Sequence, residues 1–547
     1  MKKFIISGYF LSILLSCLTI FSNGQGFSPN VQNRLQAVID SFQNNPSNPF
    51  IGGMSVAIKV DNLALWQGTT GFAARNVDAQ NNLLPGGTLF TKQTLSRIYS
   101  ITKMFTAALV LELAKENVFK LDDSVGKYLP MQSINRRLDG KVTIRQLLAH
   151  ESGYSEYTDE LNLQIAVAAQ PNHVWAPFET LSFVHQVAAP GTVRKYASTN
   201  YITLGAIIEV VTGKHVEDFY RDRFFQPLGL NSMYLAVREN PGQGVLASPH
   251  DNISAFNPVF QQTGQPAFPD AFTNISRFPL TAIASLAFTG GGIVSNAKDV
   301  ADWGSNLFSG RATGKEILTT MLESISETPD EGGDRLGYGI FLSKKISSAY
   351  DFYGHDGNAP GYRSIMFYQP GKKLTLVILT NYHGADIYAI ARALYAAIPD
   401  FICGNKKEDK VRVCFGGKNL CVPGAAASNL IQKGACLGSC NKETDASFVT
   451  SNSKLQYLSL ENFQVKIYPN PFTNQLSFEF RAAESGRLSI RLFDINNKMV
   501  ATIFDGMALK GTSKQVKFDG KSLPAGIYIS RLQSATGATE QKLVHIR

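Results

Sequence analysis

One lysine stands inside an apolar helix. Ile101–Ala114 has the pattern of a helix, and Lys103 is the one charge in its first ten residues. A helix that is apolar on every side belongs inside the fold. Carrying an amine in with it costs several kcal/mol unless something there uses it. The chain therefore has to build a polar pocket in its core around Lys103. Ser100 opens the same helix, and side chains three apart share a helix face. An amine held in a dry site loses its proton more readily, can act as a base, and can turn the serine into a nucleophile. The helix N-terminus adds backbone N–H groups for a developing oxyanion.

Ser-x-x-Lys alone is a weak signal, because the chain has copies beginning at Ser100, Ser124, Ser295, Ser439 and Ser451. Context separates them. Ser124 sits in a polar loop and Ser295 precedes a helix start. Ser439 and Ser451 belong to the cysteine-rich spacer region. Only Ser100 opens an apolar helix.

Around this helix the pattern is mixed. Val31–Phe42 reads as an amphipathic helix. Met54–Val60 and Leu63–Gly68 flank a turn at Asp61-Asn62, and Ser364–Tyr368 and Leu374–Thr380 flank Gln369–Lys372, giving two hairpins. Ile387–Ile398 is a further helix. Between the hairpins the patterns are mostly helical, with a Thr143/Gln146 capping box and Tyr201–Val211 closed by Gly213. A sheet built from both ends of this region, with a helical part inserted, is an α+β arrangement. The long stretch Asn240–Thr281 is expected to wall a cleft.

The ends of the chain differ from its middle. Lys2 and Lys3 precede an apolar run, Phe4–Phe21, and small residues Ser22-Asn23-Gly24 come next, so 1–24 reads as a secretory signal peptide. An anchoring helix and a lipid on Cys17 are the alternatives. The net charge is +9. Residues 1–24 carry +2 of it and residues 463–547 carry +6, which leaves +1 for the bulk of the chain. That excludes a basic stripe for nucleic acid. No later apolar run is long enough to span a bilayer. Of six cysteines, five crowd into 403–440; the odd number leaves one thiol free or paired between chains. Phe463–Arg547 reads as short alternating strands, a small antiparallel sandwich.

The stretch Ile98–Ala107 closely resembles the nucleophile helix of the serine β-lactamase and penicillin-binding-protein superfamily, especially its class C-like branch. Val142–Gly153, Lys195–Tyr201 with Leu204–Gly213, Gly290–Val294 and Gly354–Tyr362 match in order over about 350 residues. The resemblance implies a β-lactamase/transpeptidase-like fold over 27–400. It implies roles too: Ser100 as nucleophile, Lys103 as its base partner and Tyr196 as a second proton carrier. His355 would stand on the strand edging the cleft, reaching a substrate carboxylate or the Tyr196 oxygen. Gly357 would let substrate approach that strand, and the N–H groups of Ser100 and Asn358 would form the oxyanion hole. No metal and no organic cofactor is implied. The pattern departs from the family at Ser198, where a substrate-contacting asparagine is usual; Asn200 matches a later position. Together with His-Asp-Gly in place of Lys-Thr-Gly, this weakens the case for β-lactam turnover. The remaining histidines, His150 and His383 among them, lack metal-ligand spacing and read as structural or surface residues.

Ile467–Phe472, Leu523–Tyr528 and Lys542–Arg547 resemble the C-terminal sorting domain of type IX secretion cargo. Lys410–Cys440 resembles a Cys/His-rich module found before such domains, but its histidines are absent; 401–445 therefore reads as a disulfide-stapled spacer. The expectation is an exported serine hydrolase, secreted or attached to the cell surface. It would act through an acyl-enzyme on ester, amide or lactam bonds of a small-molecule or peptide substrate, with esterase or D-peptidase chemistry ahead of lactamase. Its second partner would be the type IX secretion machinery. The rival is a surface-displayed binding protein on a lapsed hydrolase scaffold.

Overall fold

Strand β1 (Gly53–Val60) and β2 (Ala64–Val77) form the first hairpin, turning at Asp61 in a left-handed conformation (φ +35°). In this computed structural model of the chain the described residues are 26–440 and 463–545. Short interruptions fall at 46–49, 80–81, 242–243, 405–409, 469–471, 483–485, 495–498, 509–512, 522, 525 and 535–536. The signal peptide and Cys17 lie outside them, as does the Asn496-Asn497 turn.

The main sheet has eight antiparallel strands. To β1 and β2 it adds β3 (Leu83–Leu89), β4 (Arg335–Leu336), β5 (Phe341–Ser343), β6 (Phe352–Ala359), β7 (Tyr362–Gln369) and β8 (Leu374–Thr380), in the order β3-β2-β1-β8-β7-β6-β5-β4. The first and last parts of the region thus meet at β1–β8, as the two hairpins imply. All seven residues of β8 are buried, as suits a central strand covered on both faces. Period two sorts its neighbours: Val56, Ile58, Ile365, Phe367 and Ile378 enter one core, and Ala57, Met366, Val377 and Leu379 enter the other.

Helices cover both faces. The first core receives α1 (Pro29–Gln43), capped by Ser28 with Pro29 in its first turn, and α6 (Ile387–Ala397). The second receives α2 (Thr102–Lys115), α3 (Ser198–Thr212), α4 (Leu280–Gly291) and α5 (Ala297–Phe308). Helix α3 ends at Gly213 (φ +66°), and the Thr143/Gln146 capping box forms on the short helix Ile144–Leu148. Trp303 of α5 stacks on Phe105 of α2 at 3.8 Å. Among the described residues no helix is long and apolar enough to cross a membrane.

The cysteine-rich segment packs on the first core rather than standing apart from it. Val411, Val413, Ala427, Ala435 and Leu437 are buried with Phe27, Leu35 and Phe401. The Leu437 N–H donates to the Gly26 carbonyl (2.5 Å). Disulfides join Cys403 to Cys421 and Cys414 to Cys440, and Cys436 keeps a free thiol. By its contacts the chain divides into two units, one ending at Cys440 and one beginning at Asn441.

The second unit is a sandwich of two antiparallel sheets. Phe463–Tyr468, Gln475–Ala482 and Ser513–Asp519 form one; Met499–Ala508, Gly486–Asp494, Gly526–Ser534 and Gly537–His545 form the other. Phe478, Phe480, Ile490, Leu492, Leu532 and Leu543 fill the space between them. The motif residues meet there: Phe472 stacks on His545 at 4.6 Å, and the Tyr528 hydroxyl donates to the Pro524 carbonyl.

Replacing Cys414 and Cys440 together by serine removes a cross-link between residues 26 apart. The expected cost is about 3 kcal/mol, measured as a lower denaturant midpoint of the first unit in the full chain. An unchanged midpoint would show that this disulfide adds nothing to the packing around Leu437.

Candidate active site

The segment around Ser100 is laid down by its neighbours before the helix starts. The Ile98 N–H donates to Ile293 and its carbonyl accepts the Ser364 hydroxyl (2.9 Å). Tyr99 takes a left-handed conformation (φ +43°), and Tyr99–Ile101 form one 3-10 turn leading into α2. Ser100 thereby sits half-buried at the mouth of the helix, while Lys103 one turn on is fully buried.

Three groups surround the Lys103 amine. Nζ lies 3.0 Å from Ser100 Oγ, 3.1 Å from Ser198 Oγ and 2.7 Å from the Gly290 carbonyl. Burial pushes its pKa down to about 7, partly opposed by the negative charges of Glu156 and Asp356. The Gly290 contact depends on a break in α4. Phe288 has φ +34°, ψ −127° inside that helix, a conformation costing about 1–3 kcal/mol for such a residue. Past the break the Thr289 carbonyl accepts the Thr106 hydroxyl, and the Gly290 carbonyl accepts the lysine amine.

The Tyr196 hydroxyl donates to Ser100 Oγ at 2.8 Å. Burial raises its pKa well above the ordinary phenol range, so the phenol keeps its proton. His150 clasps this tyrosine. Its ring stacks on Tyr196 at 4.6 Å, its Nδ1 accepts the Ala197 N–H, and its carbonyl accepts the Lys195 N–H. Burial first, then the charges of Lys103 and His355, hold its pKa well below the usual value; it is a neutral acceptor. His150 lies in the matched stretch Val142–Gly153, but the sequence gives it no role, because that role comes from stacking across 46 residues of chain.

Ser198 begins α3, donates its N–H to Glu156 and receives the lysine amine on its hydroxyl. Asn200 turns the other way: it accepts from the Ser152 hydroxyl and faces His150. It does not substitute for an asparagine at 198. His355 stands on β6, but its ring is 1% exposed and lies 3.9 Å from the Phe341 ring and 5.9 Å from the Tyr196 ring. Its Nδ1 faces the Asp356 carbonyl at 2.6 Å, and its Nε2 is buried without a hydrogen-bond partner. Burial pushes its pKa down to about 3. The ring is thus a neutral prop behind Tyr196 rather than a group presented to a substrate carboxylate. Its neighbour Asp356 faces the cleft instead, as alternation along a strand requires.

Gly357 also has a packing reason. A Cβ there would meet the Ile98 carbonyl at 2.3 Å. The glycine lets β6 lie directly against the segment that leads into Ser100. Asn358 is the next residue, at the cleft edge.

The cleft encloses about 620 Å³. Phe256, Val259, Phe260 and Phe278 from the Asn240–Thr281 stretch form an apolar wall with Leu163 and Val167. Glu156, Asp159, Asp330, Asp334 and Asp356 bring carboxylates to it, against Lys195 and Lys345; Lys345 is paired with Asp334 at 2.6 Å. Away from the cleft, Glu209, His215 and Glu217 converge. The Arg238 guanidinium lies among them and bonds all three, which leaves no cation site.

With a buried Lys–Ser–Tyr cluster on this scaffold, comparison with known proteins is decisive for the family. The Beta-lactamase family matches residues 42–398. This chain belongs to the beta-lactamase family. A Secretion system C-terminal sorting domain matches residues 466–547. This beta-lactamase-family protein is 27% identical over 306 residues to penicillin-binding protein 4 of Amycolatopsis lactamdurans, covering 54% of this chain and 74% of that one. It is 26% identical over 307 residues to a D-aminopeptidase of Cereibacter sphaeroides, covering 55% of this chain and about half, 52%, of the relative. Its fold matches D-amino acid amidase from Ochrobactrum anthropi SV3 complexed with D-phenylalanine: TM-score 0.55, 22% identity, 67% of this chain and 99% of that chain. A D-stereospecific amidohydrolase from Streptomyces matches at TM-score 0.53 and 23% identity, over 67% of this chain and 99% of the other. The protein is of the beta-lactamase-fold serine hydrolase family, and its sorting domain implies export by secretion machinery, with secretion or cell-surface attachment.

Gly357→Ala should push β6 away from Ile98 and lower hydrolysis of an activated aryl ester by about a hundredfold. A rate near wild type would mean that the strand yields without moving Ser100.

Proposed function

We propose that this protein is an active, exported serine hydrolase of the class C-like branch that forms an acyl-enzyme on Ser100. One observation carries the reading: the three neighbours of the Lys103 amine. A neutral amine has two N–H bonds and one lone pair. The Gly290 carbonyl can only accept, so it takes one N–H, and Ser198 Oγ takes the other. The lone pair is then left for the Ser100 hydroxyl 3.0 Å away. A pKa of about 7 keeps a large share of the amine neutral at physiological pH. Tyr196, which stays protonated, is a donor to Ser100 Oγ rather than a base.

Ser100 Oγ attacks the carbonyl carbon as its proton passes to Lys103. The tetrahedral oxyanion lies against the N–H groups of Ser100 and Asn358. The C–N or C–O bond breaks, and the proton on Lys103 passes to the leaving group, with the Tyr196 phenol as relay. Water then attacks the acyl-enzyme, Lys103 takes its proton, and Ser100 recovers one on release. Ser198 suffices for this scheme because all it must do at Lys103 is accept one N–H.

Amides and esters fit better than lactams. Family members similar in sequence or fold include D-aminopeptidases and D-stereospecific amidases, and the neutral, buried His355 offers no fixed charge for a lactam carboxylate. The apolar wall and the acidic groups of the cleft suit an apolar side chain beside a basic amine, as in a D-amino acid amide or short D-peptide.

Intact mass of the full chain with an activated aryl ester should show one acyl adduct, absent in Ser100→Ala. Residual turnover above about one per cent in that variant would remove Ser100 from the mechanism. Below pH 7 the acylation rate should climb about tenfold per pH unit and level off above it, because the reactive form is the neutral amine. A flat profile from pH 5 to 9 would exclude Lys103 as the base. Among amino acid amides, the D-phenylalanine form should be cleaved faster than the L form; equal rates would exclude D-stereospecific chemistry.

A further inference from the structure

The turn between β6 and β7 carries Asn358, Ala359 and Pro360 along the cleft wall. It is gripped at two points from outside the sheet. The Gly361 N–H donates to Asp251 Oδ2 at 3.0 Å. On the other side, Asn358 Oδ1 lies 2.7 Å from His383 Nε2. The same imidazole places Nδ1 3.2 Å from Asp251 Oδ1. Asp251 is 4% exposed and is itself fixed by the Asn252 N–H. The His383 main chain is anchored too, its N–H donating to the His250 carbonyl (3.0 Å).

We propose that His383 is a positioning residue: held by Asp251, it fixes the Asn358 side chain and with it the backbone N–H at the oxyanion site. The inference rests on the acyl-enzyme reading above. Backbone donors to an oxyanion act by being in place before charge develops, and this one sits at the end of a hairpin, past the Phe352–Gly354 stretch of β6 that β5 pairs. Gly357 keeps β6 against Ile98 on one side of Asn358. The Asp251–His383 pair holds the other side. The carboxylate reaches the turn twice, once directly through Gly361 and once through the ring. Asn358 is thus required for its side chain as well as its main chain. His383 need not touch substrate to act.

Three variants of the full chain test this: His383→Ala, Asn358→Ala and the double variant, with His383→Gln as the conservative change. Readouts are kcat and KM on an activated aryl ester, the melting temperature, and affinity for a phenylboronic acid. The boronic acid forms a bond from Ser100 Oγ to boron and places a boron-bound oxygen at the oxyanion site. Each single variant should lose about tenfold to a hundredfold in kcat, with KM and melting temperature unchanged and boronate affinity reduced in parallel. The double variant should lose no more than either single one, because both cut the same tether. Glutamine at 383 should recover part of the loss. A kcat for His383→Ala within about twofold of wild type, or losses that multiply in the double variant, would overturn the proposal. So would loss of rate with unchanged boronate affinity. Wild type that takes no acyl label would overturn the acyl-enzyme reading along with it; labelled wild type with an unaffected His383→Ala would overturn this inference alone.

Discussion

A buried, partly neutral amine governs this structure. Burial lowers the Lys103 pKa from 10.5 to about 7, a shift of preference toward the uncharged form. That preference exists only because α2 is covered on every side, by α3, α4 and the Phe105–Trp303 stack. The same packing has to supply partners for the two N–H groups. One comes from Ser198 at the start of α3 and one from a carbonyl exposed by the strained break at Phe288. Position, burial and protonation state of one side chain therefore tie together three helices distant in sequence.

The strain at Phe288 and at Tyr99 falls on either side of this amine. One sets the Gly290 carbonyl and the other sets Ser100. Backbone conformations that cost free energy persist where surrounding structure fixes them, and here both residues are buried. Tyr196 is held in a different way, by a neutral histidine whose ring stacks on it and whose Nδ1 and carbonyl accept the N–H groups of its chain neighbours Ala197 and Lys195. Ser100, Lys103 and Tyr196 are thus each fixed by separate devices, which meet only at Ser100 Oγ.

Much of this was legible in the sequence because it rests on local pattern. The hairpins come from period two, the Thr143 box and the Gly213 stop from capping chemistry, and Lys103 from being a charge in an apolar run. Motif spacing also brought Ser100, Lys103, Tyr196 and Ser198 together. The features hidden from sequence are long-range. His355 matched a motif position, yet its ring lies behind Tyr196 because Phe341 packs on it. Gly357 also makes room for the Ile98 carbonyl, which no motif shows. The Gly290 carbonyl has no side-chain signature, and His150 and His383 look alike as isolated histidines. The cysteine-rich segment read as a spacer because short strands with few apolar residues carry little sign of the surface they will lean on; Phe27 and Phe401 supply it.

That segment also decides how the first unit meets a mechanical load. Cys440 is its last residue and is covalently joined to Cys414, in the strand Lys410–Phe415. A pull arriving from the sorting-domain side of the chain enters at Cys440 and passes through sulfur into a strand paired on both edges. Leu437, three residues earlier, is hydrogen-bonded to Gly26 at the other end of the unit. The loop between Cys414 and Cys440 is thereby bypassed and cannot be drawn out while the disulfide holds. The disulfide works as a strain relief, like the clamp that keeps a tug on a cable from reaching the soldered joint.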